Sequence, residues 1–211
     1  MVSDACCGCD AASRASLQKS QRRVLTWVMV INVLSCILVL AGALYSDSNS
    51  LLSGGLDNFG DALTYALSLL VVGASLRAQA WVALFKACLI FAAAMAVGVR
   101  IGWFVWYPGT PLFDAMGLVA LANLAANGLC LALLAPHRHA NINMTSVWEC
   151  SRNDVIEGVA VVLAAVGVWY VASGWPDLLV AGLLLLVFLR SALRVWRSAL
   201  AALRDAQPQV H

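Results

Sequence analysis

Apolar residues fall into six long segments, separated by short polar or turn-forming connections. The segments are residues 24–44, 51–76, 81–107, 112–134, 145–172 and 176–193. Each is long enough to cross about 30 Å of hydrocarbon as an α-helix, which takes roughly 17–25 residues. The prolines at 108, 111, 136 and 176 lie between segments or at their ends. The pattern therefore predicts an all-α fold, a six-helix integral membrane bundle.

The composition agrees with a membrane protein and excludes other classes. Hydrophobic residues make up 62% of the 211 positions and charged residues only 11%, whereas soluble domains carry about a quarter charged residues. Too few polar residues are present to cover a soluble surface. The net charge of +2 gives no basic footprint for nucleic acid, so we expect no nucleic-acid partner.

The positions of Lys and Arg predict the orientation of the helices. If the N-terminus is cytoplasmic, every Lys and Arg except Arg100 falls at or near the cytoplasmic side, as the positive-inside rule requires. We therefore expect both termini to be cytoplasmic. Residues 1–20 are predicted to form a flexible tail, residues 21–200 the transmembrane domain, and residues 201–211 a second short tail.

Acidic residues occur inside two of the predicted helices at helical spacing. Helix two carries Asp57 and Asp61, and helix five carries Cys150, Asp154 and Glu157. Carboxylates one turn apart in low dielectric repel each other and lose hydration, so they need a compensating cation or proton. Helices one and four also carry spaced polar residues, whereas three and six do not. We expect helices one, two, four and five to surround a polar site, with three and six set apart.

The paired motifs Asp57–Asp61 and Cys150–Asp154 resemble those of the cation diffusion facilitator family, over residues 20–200. That family has six transmembrane helices, exports divalent transition metals, and carries an acidic residue or His four positions before Asp in helices two and five. This chain departs from the pattern at Cys150, where His or Asp is common. The family's usual C-terminal cytoplasmic domain has no counterpart here, so we expect a short member without it.

The resemblance implies a metal site formed by four side chains: Asp57, Asp61, Cys150 and Asp154. Four ligands suit a tetrahedral ion such as Zn²⁺, and one thiolate among carboxylates also accepts Co²⁺ or Cd²⁺ but disfavours Mg²⁺ and Ca²⁺. Three neighbouring residues are alternatives as ligands or as partners of the ligands: Asn58, Asn153 and Glu157.

The predicted function is export of divalent transition-metal cations, with Zn²⁺ as the expected ion. Carboxylates that hold protons without metal must release them when metal enters, which favours proton antiport. The metal is cargo, and we expect no prosthetic group. No HExxH, GxSxG or intramembrane CxxC motif indicates an enzyme. Two alternatives to a transporter remain: a membrane metal sensor or scaffold without transport, and an intramembrane enzyme.

The expected partners are divalent metal cations, protons and the lipid bilayer. A homodimer through helices three and six is open, because their apolar faces suit either a second copy or lipid. The compact build and short loops favour a bacterial inner membrane as the location of this multi-pass protein.

Two groups of residues outside the membrane are candidates for capturing soft metals before entry. Cys6, Cys7 and Cys9 lie close together in the N-terminal tail, and His137 and His139 flank an arginine in a cytoplasmic loop. Thiolates and imidazoles bind such ions. The alternative is that these are incidental residues of a tail and an exposed loop.

Overall fold

The computed structural model describes residues 4–70, 76–107, 109–139 and 142–205, and within residues 4–19 only the backbone. All regular structure in these ranges is helical. Six α-helices and one short 3₁₀ helix (Ala135–His137) follow one another. The α-helices are α1 (Asp4–Ser46), α2 (Asn49–Leu70), α3 (Leu76–Trp106), α4 (Phe113–Leu134), α5 (Ile142–Val171) and α6 (Trp175–Asp205).

Five of these helices contain segments long and apolar enough to cross a membrane. The segments are Ser20–Ser46, Ala87–Trp106, Phe113–His137, Val147–Val171 and Trp175–Arg194. The predicted membrane bundle is confirmed at this level. Helix α2 has 22 residues, enough to span, but Asp57, Asn58 and Asp61 lower its apolar character, and its crossing stays a prediction.

The helices pack largely as pairs. Helix α1 packs against α2 and α4, α4 packs against α5, and α3 packs against α6. Helix α6 also contacts α2 and α5, so it is less separate from the other helices than the sequence predicted. Leu184 of α6 belongs to the apolar core and Phe188 packs against it, and a buried polar contact, described below, joins the start of α6 to the start of α2.

Helix α1 begins well before the first membrane segment. It starts at Asp4, so the backbone of residues 4–20 is helical and continuous with that segment, and the flexibility of this tail stays a prediction. Residues 11–19 contain Ala, Arg, Leu, Gln and Lys, which all have high helix propensity. At the other end α6 continues to Asp205, and residues 206–211 lie outside the described residues.

Two apolar clusters lie at different depths among α1, α4 and α5, and a third joins α2, α3 and α6. The first contains Val39 of α1 and Met116 of α4, and it also includes Leu184 of α6. The second contains Val28 of α1 and Leu134 of α4. Along α1, α4 and α5 a stretch of chain separates these two clusters, and some of the buried polar residues of the bundle lie in those stretches.

Candidate metal centre

A layer of buried polar side chains lies between the two apolar clusters. Its members include Asn32 on α1, Asn58 on α2, Asn123 and Asn127 on α4, and Asp154 on α5, and all five are buried. Buried polar groups are costly in a membrane unless they find partners. The layer therefore marks the depth at which the bundle has a polar interior.

Three of the four predicted ligands come together at the edge of this layer, where Asp154 is buried, Asp61 is half-buried and Cys150 is exposed. Asp61, Cys150 and Asp154 each offer one ligand atom, and these atoms lie within 4.8 Å of one another. The Cys150 Sγ is 3.4 Å from Oδ1 and 3.5 Å from Oδ2 of Asp61, so the thiol donates across the interface between α2 and α5. A single ion placed among these atoms can be bound by both helices.

The fourth predicted ligand, Asp57, lies near this group but is not one of the three residues whose ligand atoms lie within 4.8 Å of one another. It stands one turn before Asp61 on α2 and interacts electrostatically with Asp61 and with Asp154 of α5. Carboxyl groups so close together in low dielectric need a compensating proton or cation.

The three alternative residues take different positions. Glu157 is partly buried and interacts electrostatically with Asp57, Asp61 and Asp154, so it adds a fourth carboxyl group to the cluster. The Asn58 Nδ2 donates to Asn123 Oδ1 at 2.9 Å, and this bond ties α2 to α4. Asn153 is exposed, because it precedes Asp154 by one residue and so points about 100° away around the helix.

Helices α4 and α5 pack closely together one turn after Asp154. Gly158 lies one turn after Asp154, and a Cβ atom there would be 3.2 Å from Leu124 Cδ1 and 3.5 Å from the Leu124 Cα. A larger residue would push the two helices apart. The absence of a side chain at Gly158 thus allows α5 to pack closely on α4 beside the acidic cluster.

The structure adds Cys130 to the surroundings of the site. It is buried on α4, interacts electrostatically with Asp154 and Asp61, and its Sγ lies 4.0 Å from Asn32 Nδ2. From the sequence Cys130 looks like a small packing residue. The helical spacing of Asn123, Asn127 and Cys130 was the signal that places it on the polar face of α4.

Several buried polar atoms near this depth have no partner. Within the described residues, Asn32 Oδ1, Asn127 Oδ1 and Ser151 Oγ are buried and make no hydrogen bond. All three are acceptors or can act as acceptors. The polar layer therefore contains hydrogen-bonding capacity beyond the carboxyl groups and the thiol.

A second buried carboxyl group, which the sequence did not single out, lies at the junction of α6 and α2. Asp177 accepts hydrogen bonds from the Ser48 and Ser50 hydroxyls, each at 2.6 Å, and from the backbone N–H groups of Asn49 and Ser50 at 2.7 and 3.0 Å. These N–H groups belong to the first turn of α2, where they lack helical partners. Asp177 is thus a cap for α2 supplied by another helix.

The candidates for soft-metal capture lie apart from this cluster or outside the description. The side chains of Cys6, Cys7 and Cys9 lie outside the described residues. His137 ends the 3₁₀ helix between α4 and α5. His139 Nε2 accepts a hydrogen bond of 3.0 Å from Arg138 Nε, so in this arrangement that nitrogen is engaged by a neighbour.

The fold defines a multi-pass helical membrane protein with an acidic and thiol-containing cluster between α2 and α5. Neither a protein-family model nor a curated protein matches the sequence. The resemblance to the cation diffusion facilitators therefore depends on the paired motifs alone and stays a hypothesis.

Proposed function

We propose that the protein exports divalent transition-metal cations in exchange for protons, with Zn²⁺ as the expected substrate and Co²⁺ and Cd²⁺ as further substrates. The observation that carries the proposal is the convergence of Asp61, Cys150 and Asp154, whose ligand atoms lie within 4.8 Å of one another. Two carboxylates and one thiolate suit zinc and similar ions better than magnesium or calcium.

The placement of these ligands on two helices supports transport. Asp61 lies on α2 and its two partners on α5, and the cluster is at the depth between the two apolar clusters. In membrane transporters, substrate sites near mid-membrane are opened to either side by movement of one group of helices against another. A site shared by two helices can change its access in this way, and an exporter of this kind would reside in the cell membrane.

The arrangement of the carboxyl groups supports exchange with protons. Four carboxyl groups, those of Asp57, Asp61, Asp154 and Glu157, interact electrostatically in this cluster. Buried charges need compensation, which a divalent cation or protons can provide. Metal ligands must lose their protons to bind, so metal entry would release protons and metal exit would take them up.

The test is metal uptake into proteoliposomes that enclose a metal-sensitive dye, with and without an imposed pH gradient. We expect transport by the parent protein and almost none by Asp61→Asn, which keeps the shape of the side chain and removes its charge. Asp114→Asn is the matched control, since Asp114 is an exposed acidic residue in the first turn of α4. It should transport at the parent rate.

Three outcomes would contradict the proposal. Transport by Asp61→Asn at the parent rate would remove the site from the pathway. Metal movement that does not respond to the pH gradient would contradict proton exchange. Metal binding by the purified parent protein without any uptake would favour a sensor or scaffold over a transporter.

A further inference from the structure

A surface groove that the metal centre does not use lies where α3 ends. Its volume is about 580 Å³, and its lining includes Asp47, Arg100, Trp103, Phe104 and Tyr107. The lining thus combines one acidic side chain, one basic side chain and three aromatic rings. This combination offers contacts to charged groups as well as to apolar ones.

The charged residues of the groove form a pair that remains open to a ligand. Arg100 Nη2 lies 2.6 Å from Asp47 Oδ1, and Arg100 Nε donates to Asn49 Oδ1 at 3.3 Å. The side chain of Arg100 is 25% exposed and that of Asp47 is 61% exposed. A guanidinium group has five N–H donors, and these two bonds occupy two of them. The positive charge of Arg100 and the negative charge of Asp47 nearly cancel, which disfavours a ligand that carries charge of only one sign.

The aromatic residues place this end of α3 at the level of lipid headgroups. The rings of Trp103 and Tyr107 contact each other with centroids 4.5 Å apart, and Trp106, which precedes Tyr107 in the chain, is 82% exposed. Trp and Tyr concentrate where the hydrocarbon core meets water, because their rings are apolar and their N–H and O–H groups are polar. The groove therefore lies where a phospholipid would present its headgroup.

We propose that this groove binds the headgroup of a zwitterionic phospholipid with a primary ammonium group, of the phosphatidylethanolamine type. The free guanidinium donors of Arg100 bind the phosphate. The ammonium lies between the Asp47 carboxylate and the face of Trp103, where a cation is attracted to both. The acyl chains follow the outer surface of α3 along Val99, which is 71% exposed.

The experiment is native mass spectrometry of the full chain released from nanodiscs, with phosphatidylethanolamine, phosphatidylcholine or phosphatidylglycerol supplied in equal amounts. We expect preferential retention of phosphatidylethanolamine. Arg100→Gln should weaken retention of both zwitterionic lipids about tenfold, the effect of losing one charged hydrogen-bond partner. Asp47→Asn should remove the preference for phosphatidylethanolamine over phosphatidylcholine.

The controls keep the proposal testable if a variant fails to fold. Arg138→Gln is the matched control. Arg138 lies 5.7 Å from the ring centroid of Trp148, as Arg100 lies 5.4 Å from that of Phe104, and the variant should keep the preference. Trp103→Leu alters a ring that is 61% exposed, so it should fold and still lose the preference. Equal retention of all three lipids, preference for phosphatidylglycerol, an unchanged preference in Asp47→Asn or Trp103→Leu, or unchanged retention in Arg100→Gln would overturn the proposal.

Discussion

Replacing Asp177 by Ala tests the polar contact that holds α6 to the start of α2. The carboxyl group accepts five hydrogen bonds from Ser48, Asn49 and Ser50, four of 2.6 to 3.0 Å and one of 3.4 Å from Asn49 Nδ2. Asp177 and these three residues are all 0% exposed. Water cannot easily replace the lost acceptor, so we expect the variant to lose much of the stability that this junction provides.

The size of the loss follows from the donors that remain. The Ser48 and Ser50 hydroxyl oxygens lie 3.4 Å apart, so they can bond to each other after the substitution. The backbone N–H groups of Asn49 and Ser50 cannot, and each unsatisfied buried donor costs about 1–3 kcal/mol. We therefore expect Asp177→Ala to lower the free energy of unfolding by about 3 kcal/mol, including the lost interaction with the helix dipole.

The measurement is reversible unfolding in mixed micelles with an increasing fraction of denaturing detergent, followed by circular dichroism. Asp47→Asn is the control, since Asp47 is 61% exposed in its ion pair with Arg100 and Asn tolerates the positive φ of 60° at this position. An exposed pair contributes at most about 1 kcal/mol. A loss for Asp177→Ala no larger than that of the control would refute the reasoning from buried donors.

Three further predictions concern selectivity, delivery and packing. Cys150→Asp should reduce Cd²⁺ transport more than Mn²⁺ transport, because it replaces a soft thiolate by a hard carboxylate; wild-type selectivity of Cys150→Ala in uptake assays with several metals would contradict this role. Deleting residues 2–12 should leave the maximal transport rate intact and raise the metal concentration for half-maximal rate, whereas complete loss of transport with normal insertion would contradict a role in delivery. Gly42→Ala should lower stability by about 1–3 kcal/mol, because its Cβ would lie 2.6 Å from Val119 Cγ2, while Gly54→Ala meets nothing within 4 Å; equal effects in the same unfolding assay would be inconsistent with this packing.

The sequence predicted the helices well because the membrane leaves few choices. In hydrocarbon every backbone polar group must bond within the segment, so a long apolar segment becomes a helix. Helical spacing also placed Asp57 and Asp61 on one face of α2. Spacing along one helix cannot define which neighbouring helix that face meets. The contact of Asp61 with Cys150 was therefore expected from the family resemblance and not from periodicity.

The polar contacts between distant segments could not be predicted in the same way. Asp177 follows Pro176 at the start of a helix, where an acidic residue is ordinary. Its partners lie 127 to 129 positions earlier in the chain, and no local pattern connects them. Asn58 was grouped with Asp57 because the two are adjacent. One residue is about 100° around a helix, and this rotation turns the amide toward α4 instead of α5.

Helix α4 connects both helices that carry the candidate ligands, although it contributes no carboxylate to the cluster. Asn123 accepts a hydrogen bond from Asn58 of α2, and the next residue, Leu124, is the one that Gly158 of α5 packs against. Adjacent residues of one rigid helix thus contact α2 and α5 near the acidic cluster. The distance between the ligand atoms of the two helices therefore depends on how closely each packs against α4, as well as on the ligands themselves.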